Sequence, residues 1–187
     1  MTDQSIEAAK ARRFQAAVLS HLDAAYNLAR WLMRDEHDAE DIVQEACLRA
    51  FRSFDGFRGD DARPWLLTIV RNACYSWFAA HRPDKLSTPF DEELHGGGID
   101  GAEVFGPGGG LDPETALARA DELRLVNEAL DQLPLGFREV VVLRDLEELS
   151  YKEIAAVAAI PIGTVMSRLA RGRRLLATHL KERLKEN

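Results

Sequence analysis

The stretch of sequence that decides the fold runs from Ser150 to Arg174 and reads SYKEIAAVAAIPIGTVMSRLARGRR. Ser150 and Glu153 form a capping box, in which each side chain satisfies a backbone N–H group left free at the start of a helix. Pro161 cannot extend that first helix, so we expect the chain to turn between Ala159 and Pro161. A short capped helix, a tight turn and a second helix are the parts of a helix-turn-helix.

The second helix of this stretch is amphipathic, with an apolar side and a basic side. The apolar side is expected to face the interior and carries Val165, Leu169, Gly172, Leu176 and Leu180. The other side carries hydroxyl and guanidinium groups that suit base edges and phosphates, on Thr164, Ser167, Arg168, Arg171 and Arg174. A solvated C-terminal helix, whose cations favour the negative end of the helix dipole, would have the same composition. The capped helix and the turn before it favour the other interpretation, a helix offered to the major groove of DNA.

Charge is segregated along the chain. The formal net charge of −7 argues at first sight against a nucleic-acid binder. Residues 82–112, however, hold two basic and seven acidic side chains, whereas residues 162–187 hold seven basic and two acidic ones. The local field near DNA matters more for binding than the total charge, so the basic C-terminal segment is compatible with DNA binding.

The residue inventory disfavours an enzyme, a metal protein and a membrane protein. Cys47 and Cys74 lie within apolar helical patterns and are predicted to be core residues, and the five histidines show no metal-ligand spacing with them. The sequence shows neither a nucleophile with a base nor a phosphate-binding glycine loop, so we expect no catalytic residue, metal or cofactor. It also shows no signal peptide and no apolar run of about 20 residues, so we expect a cytoplasmic protein with no membrane insertion.

Helical periodicity is strong in two blocks, which predicts an all-α chain of two small helical domains. A tail over residues 1–13 is expected to precede the first domain, residues 14–82. Residues 83–111 are rich in glycine and acid and are predicted to form a flexible linker, because they cannot bury enough apolar surface to offset the entropy of ordering. The second domain, residues 112–187, opens with Asp112 as N-cap before a proline and ends with the helix-turn-helix.

Three helices are predicted in the first domain, over about Phe14 to Met33, Asp38 to Phe54 and Pro64 to His81. The outward side of the second helix carries acidic and amide groups around an exposed leucine: Asp41, Gln44, Glu45, Leu48 and Arg52. Two interpretations stay open for this side, a protein-binding rim with an apolar centre and a solvated helix face with one stray leucine. The pattern alone favours the solvated face.

A glycine-containing loop precedes the third helix, over residues 55–63. Phe57 in this loop has no evident helical core to join, and an aromatic ring beside arginines suits the holding of an unstacked base. A plain connector whose phenylalanine folds back onto the core explains the same residues. The third helix leaves polar groups for the surface on Arg71, Asn72, Tyr75 and Arg82.

Several short motifs together resemble a known family. They are DAEDIVQE over residues 38–45, PWL over 64–66 with Arg71-Asn72, the run from Leu133 to Ala155, and the helix-turn-helix. In this order they resemble the extracytoplasmic-function (ECF) sigma factors of bacteria. The resemblance implies a protein that binds core RNA polymerase and directs it to promoter DNA, with an anti-sigma factor as a further partner and a response to stress or an envelope signal. The alternative is a helix-turn-helix regulator that binds operator DNA without polymerase.

The resemblance also implies a role for each candidate surface. Core polymerase would contact Asp38, Glu40, Asp41, Gln44, Glu45, Leu48 and Arg52. The melted minus-ten element would be held by Phe57, Arg58, Arg63, Arg71, Asn72, Tyr75 and Arg82. The minus-thirty-five element would be read by Ser150, Tyr151, Thr164, Ser167, Arg168, Arg171, Arg173 and Arg174.

The sequence departs from the family pattern in three places. Glu148 stands where the family usually has glycine or another small residue, so a differently shaped turn is expected. The minus-ten helix ends in AAHR over residues 79–82 rather than in a basic cluster, which weakens its expected hold on backbone phosphates. The linker is rich in glycine, and its acidic side chains are expected to pass near the basic active-site channel of polymerase.

Overall fold

The structure, a computed structural model, describes residues 3–86 and 124–186. The N-terminal unit, residues 3–86, contains α1 (Asp3–Val18), α2 (Leu22–Met33), α3 (Glu36–Ser53) and α4 (Ala62–His81). The C-terminal unit, residues 124–186, contains α5 (124–132), α6 (Leu135–Val141), α7 (Tyr151–Ala158) and α8 (Ile162–Glu186). Neither range contains a strand, so an all-α fold with two helical domains is confirmed over the residues that the structure describes. From residue 87 onward the predicted linker lies outside these ranges, as does Asp112.

The first predicted helix begins earlier than expected and is interrupted. α1 starts at Asp3, so residues 3–13, which were expected to form a tail before the first domain, are helical. These residues include good helix formers without an apolar stripe, which is why hydrophobic periodicity missed them. The predicted helix from Phe14 to Met33 is broken by a 3₁₀ turn, Leu19–His21. Because apolar residues recur at helical spacing on both sides of the break, the periodicity of the sequence does not reveal it.

Side-chain caps set the starts of α3 and α4. Asp35 accepts a hydrogen bond from the backbone N–H of Asp38 at 3.0 Å, so α3 begins two residues before its predicted start. Asp61 accepts a hydrogen bond from the backbone N–H of Arg63 at 2.8 Å and caps α4 in the same way. The core that these helices share with α2 is formed by fully or nearly fully buried side chains, including Leu28, Leu32, Ile42, Leu66 and Val70.

A π-helical turn shapes the C-terminal unit. α6 continues into Val142–Leu146, which has the wider hydrogen-bond pattern of a π-helix. The run VVVL over residues 140–143 is apolar enough for a strand, but it is helical and buried. Just beyond this turn, Glu148 has a φ of 52°, in the left-handed region. Glycine takes that conformation without strain, which explains why a glycine or small residue suits this place.

α8 packs closely on α6 at Gly172. A Cβ added to this glycine would lie 2.8 Å from Cγ2 of Val141 and 3.3 Å from the carbonyl oxygen of Phe137. The predicted inner side of α8 is confirmed, because its apolar residues are buried or half-buried: Val165, Leu169, Gly172, Leu176 and Leu180. In the described ranges no single helix is long and apolar enough to cross a membrane, and α7 with α8 meets that criterion only as a bent pair.

The two units pack against each other. α2 and α4 of the N-terminal unit contact α6 and α7 of the C-terminal unit. Arg34 ends α2 in the left-handed conformation, and its Nη2 donates a hydrogen bond to the carbonyl oxygen of Leu133 at 3.2 Å. A cleft of about 320 Å³ opens between the units and is lined from both sides, by Tyr75 of α4 and Arg168 of α8 among others.

Candidate nucleic-acid interface

The helix-turn-helix has the geometry that its sequence predicts. Ser150 caps α7 in a complete capping box with Glu153. Ala159 takes the left-handed conformation that ends α7, with a φ of 53°, and Pro161 directly precedes α8. The two helices are bent by 99° relative to each other, as in helix-turn-helix motifs. This arrangement offers α8 for insertion into a major groove.

The outer face of α8 is more apolar at its start than the sequence predicts. Ile162 is 47% exposed and Met166 is 53% exposed, beside the exposed Ser167. Neither apolar residue is among the predicted DNA contacts. The sequence could have indicated them, because they are four residues apart and lie on a side of the helix that does not include the buried Val165. Apolar atoms in a major groove can contact the methyl group of thymine.

The predicted contacts of the helix-turn-helix differ in accessibility. Arg173 forms a two-pronged ion pair with Asp145, in which Nε lies 3.0 Å from one carboxylate oxygen and Nη2 contacts the other. Arg168 lies against Gly136 of α6 and lines the cleft. The exposed members of the set are Ser150, Tyr151, Ser167 and Arg174. The half-buried members are Thr164, Arg168, Arg171 and Arg173.

The loop before α4 holds its aromatic ring against the N-terminal unit. The ring of Phe57 is half-buried, with its centroid 4.8 Å from that of Trp65 and 6.1 Å from that of Phe54. The phenylalanine thus folds back onto the N-terminal unit, as the connector interpretation expects, while part of its side chain stays exposed. Arg58 is exposed, and its Nη1 donates a hydrogen bond to the carbonyl oxygen of Asp55 at 2.6 Å.

One carboxylate of the C-terminal unit binds two predicted minus-ten residues of α4. Glu139 of α6 is fully buried and accepts hydrogen bonds from Nε of Arg71 at 2.7 Å and from the hydroxyl of Tyr75 at 3.0 Å. Burial raises the pKa of Glu139, and the contacts with Arg71 and Tyr75 oppose that shift. Burial and the nearby Glu139 carboxylate raise the pKa of the Tyr75 hydroxyl. The Arg71 guanidinium also stacks on the Tyr75 ring, 3.8 Å from its centroid.

A second ion pair also joins the two units. Nη2 of Arg63 lies 2.7 Å from Oε2 of Glu147, and the Glu147 side chain is buried. Arg63, Arg71 and Tyr75 of α4 therefore each contact a buried carboxylate of the C-terminal unit, Arg63 that of Glu147 and the other two that of Glu139. The remaining polar members of the predicted minus-ten set are exposed: Arg58, Asn72 and Arg82.

The predicted outward side of α3 is exposed. Its leucine, Leu48, is 53% exposed, while Ala46 on the other side of the helix is fully buried. Glu45 is half-buried and pairs with Arg49 at 2.7 Å. The other exposed members of the predicted set are Glu40, Asp41, Gln44 and Arg52, and Asp38 is half-buried. The face is thus acidic around an apolar centre.

Within the described ranges, cysteine, histidine and acidic side chains form no cluster of three or more that could hold a metal ion. Cys74 is buried and Cys47 is half-buried, and both are free thiols. Burial raises the pKa of both thiols, that of Cys74 to about 12. Their prediction as core residues outside a disulfide is confirmed for Cys74 and holds in part for Cys47.

Both units match profiles of one protein family, in the predicted order. Residues 17–83 match Sigma-70 region 2, and residues 123–176 match Sigma-70, region 4. The RNA polymerase sigma-H factor of Pseudomonas aeruginosa is 32% identical over 179 residues, which cover 94% of this chain and 90% of that protein. The ECF RNA polymerase sigma-E factor of Escherichia coli is 37% identical over 141 residues, 73% of this chain and 70% of that protein. This chain belongs to the ECF sigma factors.

Solved structures of sigma factors have the same fold. The sigma factor RpoE of Bartonella quintana, determined in complex with the anti-sigma factor NepR, superimposes with a TM-score of 0.67 at 29% identity, over 91% of this chain and 98% of that one. CnrH, in complex with the cytosolic domain of CnrY, superimposes with a TM-score of 0.61 at 26% identity, over 96% of this chain and 97% of that one. As an ECF sigma factor, this protein binds core RNA polymerase and directs it to promoters. A regulator that acts without polymerase is not favoured.

Proposed function

We propose that this sigma factor uses three separate surfaces. The polymerase surface is the acidic side of α3 around Leu48. The minus-ten surface is the loop over residues 55–63 with the side of α4 that carries Arg71. The minus-thirty-five surface is the outer face of α8. The observation that carries the proposal is the exposed α8, held at 99° to its capped partner helix, in one chain with a region 2 unit.

The polymerase surface combines acidic side chains with an exposed leucine. Such a rim of charge around an apolar centre is typical of protein interfaces. Asp41 and Gln44 lie on it beside Leu48, and all three are exposed. We propose that it binds a partner surface of the opposite charge on core polymerase, because charge complementarity speeds association and fixes the orientation of docking.

The minus-ten surface suits single-stranded DNA. Arg71 and Arg63 provide charge-assisted bonds to phosphates, and Asn72 provides an amide that can bond to base edges. Tyr75 and Phe57 add aromatic rings against which an unstacked base can pack. Both rings are half-buried, so each would offer one edge or face rather than a free ring.

The minus-thirty-five surface suits duplex DNA. Ser167 and Arg174 are its exposed polar groups, and they fit base edges and phosphates respectively. We add Ile162 and Met166 to the predicted contacts, because they are the exposed apolar side chains at the start of α8. Specificity for thymine at one position of the element is the expected result.

We propose that an anti-sigma factor holds the protein inactive until stress or an envelope signal releases it. The complex of Bartonella quintana RpoE with NepR supports this partner class. The protein would act in the cytoplasm, where polymerase and promoter DNA are found. It would contribute no catalytic residue or cofactor, because bond formation belongs to polymerase.

Transcription with purified core polymerase tests the proposal. We expect transcripts from a promoter library only when the sigma factor is added. The double variant Asp41→Arg/Leu48→Ala should lose polymerase binding and keep its affinity for upstream duplex DNA. Arg174→Ala should lose affinity for upstream duplex DNA and keep polymerase binding. Lys181→Ala, on the same helix, is the control for loss of an exposed cation. Equal losses for the two surface variants in both assays would show that the surfaces are misassigned.

A further inference from the structure

A lysine of α1 is fixed to the start of the minus-ten loop, residues 55–63. Nζ of Lys10 lies 2.7 Å from Oδ2 of Asp55, the first residue of the loop. The Lys10 side chain is only 18% exposed, and its Nζ also lies over the ring of Phe51, 5.0 Å from the centroid. An ion pair with one covered partner is screened less by water and salt than a fully exposed pair. Lys10 therefore ties the loop to α1.

Asp55 in turn holds an arginine of the loop. Its backbone carbonyl oxygen accepts a hydrogen bond from Nη1 of Arg58 at 2.6 Å, and the carbonyl oxygen of Phe57 accepts a longer one from the same nitrogen at 3.3 Å. Arg58 is exposed and belongs to the proposed minus-ten surface. Both bonds use Nη1, so the other donors of this guanidinium can bind a phosphate oxygen. Lys10, Asp55 and Arg58 thus form a chain of contacts from α1 to a proposed DNA contact.

α1 and the turn after it also support the rest of the loop. Phe14 of α1 packs edge-to-face on Phe54, with centroids 5.3 Å apart, and Phe54 stacks on the ring of Phe57 at 6.1 Å. At the far end of the loop, Nε2 of His21 lies 3.9 Å from Oδ1 of Asp61, the residue that caps α4. The segment therefore contacts the loop at its start, through its aromatic ring and at its end.

We propose that α1 positions the minus-ten loop, and that Lys10, acting through Asp55, holds Arg58 in the orientation that binds the melted strand. The inference rests on the proposed minus-ten surface. A loop that is already fixed in its bound conformation loses less conformational entropy when DNA binds, so positioning raises affinity without adding a contact. Lys10 is a positioning residue rather than a DNA contact, because its ammonium group is largely covered and already paired.

Arg12 distinguishes positioning from a direct attraction of α1 for DNA. It is a cation of the same helix, two residues from Lys10, and it is the more exposed of the two. If α1 attracted phosphates directly, Arg12→Ala would weaken DNA binding at least as much as Lys10→Ala. Positioning predicts a loss for Lys10→Ala and none for Arg12→Ala, although both variants lose one positive charge.

Hydrogen–deuterium exchange of the full chain, measured by mass spectrometry, tests the positioning itself. We expect Lys10→Ala to speed exchange by about two- to five-fold in peptides that cover residues 55–61, as for the loss of an ion pair between partly exposed groups. The amide of Phe57, which bonds the carbonyl oxygen of Phe54 at 3.0 Å, lies in these peptides. Arg12→Ala should exchange like wild type. Unchanged exchange in Lys10→Ala, or faster exchange throughout α3 and α4, would overturn the proposal.

Binding of the holoenzyme to open promoter DNA tests the consequence. The probe is a fluorescein-labelled promoter recovered from the library assay, with mismatches that keep its minus-ten element unpaired. We expect Lys10→Ala to weaken binding, measured by fluorescence anisotropy, by about two- to five-fold. Lys10→Ala/Arg58→Ala should bind like Arg58→Ala, because both substitutions interrupt the same chain of contacts. Additive losses would refute positioning through Arg58.

Reversal of the two charges is a test by rescue. Lys10→Glu places two carboxylates together and should weaken binding more than Lys10→Ala, whereas Lys10→Glu/Asp55→Lys restores an ion pair and should regain most of the lost affinity. A double variant as weak as Lys10→Glu would contradict the role of the ion pair. The two proposals can fail separately. Loop exchange that depends on Lys10, without any promoter recovered, refutes the proposed function, and a loss for Arg58→Ala without one for Lys10→Ala refutes positioning alone.

Discussion

At Gly172, where α8 comes closest to α6, replacement by alanine is predicted to destabilise the C-terminal unit. The added methyl group would lie 2.8 Å from Cγ2 of Val141, whereas carbon atoms in good contact are about 3.5–4.0 Å apart. Val141 is 1% exposed, so its side chain has little room to move. The carbonyl oxygen of Phe137, at 3.3 Å, belongs to the backbone of α6 and cannot rotate away.

Two opposing contributions set the size of the effect. Alanine is favoured over glycine inside a helix by about 0.8–1.0 kcal/mol. Forcing an extra methyl group into a packed interior costs about 1–3 kcal/mol, and the short contact with Val141 places Gly172→Ala in the upper part of that range. The expected net loss in the free energy of unfolding is therefore about 1–2 kcal/mol.

Gly163→Ala is the matched control for this prediction. Gly163 lies in the first turn of the same helix, and a Cβ there would meet nothing within 4 Å. The control should stabilise the unit by about 0.5 kcal/mol. Urea unfolding of the full chain, followed by circular dichroism, measures both variants. If Gly172→Ala proves as stable as Gly163→Ala, the close approach of α8 to α6 is refuted.

Glu148→Gly is expected to stabilise the C-terminal unit by about 1 kcal/mol, because glycine relieves the left-handed backbone at a φ of 52°. Glu148→Ala is the control. An equal gain in the free energy of unfolding for both variants, measured by urea unfolding, would contradict the backbone explanation. Replacing thymine by uracil in the minus-thirty-five element should cost wild type about 0.8 kcal/mol of binding, measured by fluorescence anisotropy, and should cost Met166→Ala nothing. Equal losses would mean that Met166 touches no thymine methyl group. A thiol reagent at mildly alkaline pH should label Cys47 before Cys74 in peptide mass spectrometry, because burial raises the pKa of Cys74 to about 12 and keeps it protonated. Prior labelling of Cys74 would show that its burial is lost in solution.

The helix-turn-helix could be predicted because its signals are local. Ser150, Glu153 and Pro161 act on backbone groups a few residues away, so their effect does not depend on the rest of the fold. The buried side of α8 followed from the spacing of its apolar residues. The break between α1 and α2 could not be predicted in this way, because Val18 and Leu22 keep helical spacing across it.

Contacts between distant residues explain what the sequence could not predict. Glu139 lies in a helical run with no local feature that marks it as buried, and its partner Arg71 is 68 positions away in the chain. The packing of Phe57 likewise depends on the position of the Trp65 ring, which the loop sequence does not reveal. Exposure of Met166 likewise depends on how α8 is rotated against α6.

The unequal exposure of α3 and α4 has a consequence for how the free protein searches the cell. A chromosome offers an immense number of non-specific sites, and a protein that displays all its cations is spread over them. Here the α3 face around Leu48 is open while Arg63 and Arg71 are engaged with acid, and the whole chain carries a net charge of −7. On the proposed assignment of these surfaces, such a molecule would be weakly retained by bulk DNA and would stay available for collision with polymerase.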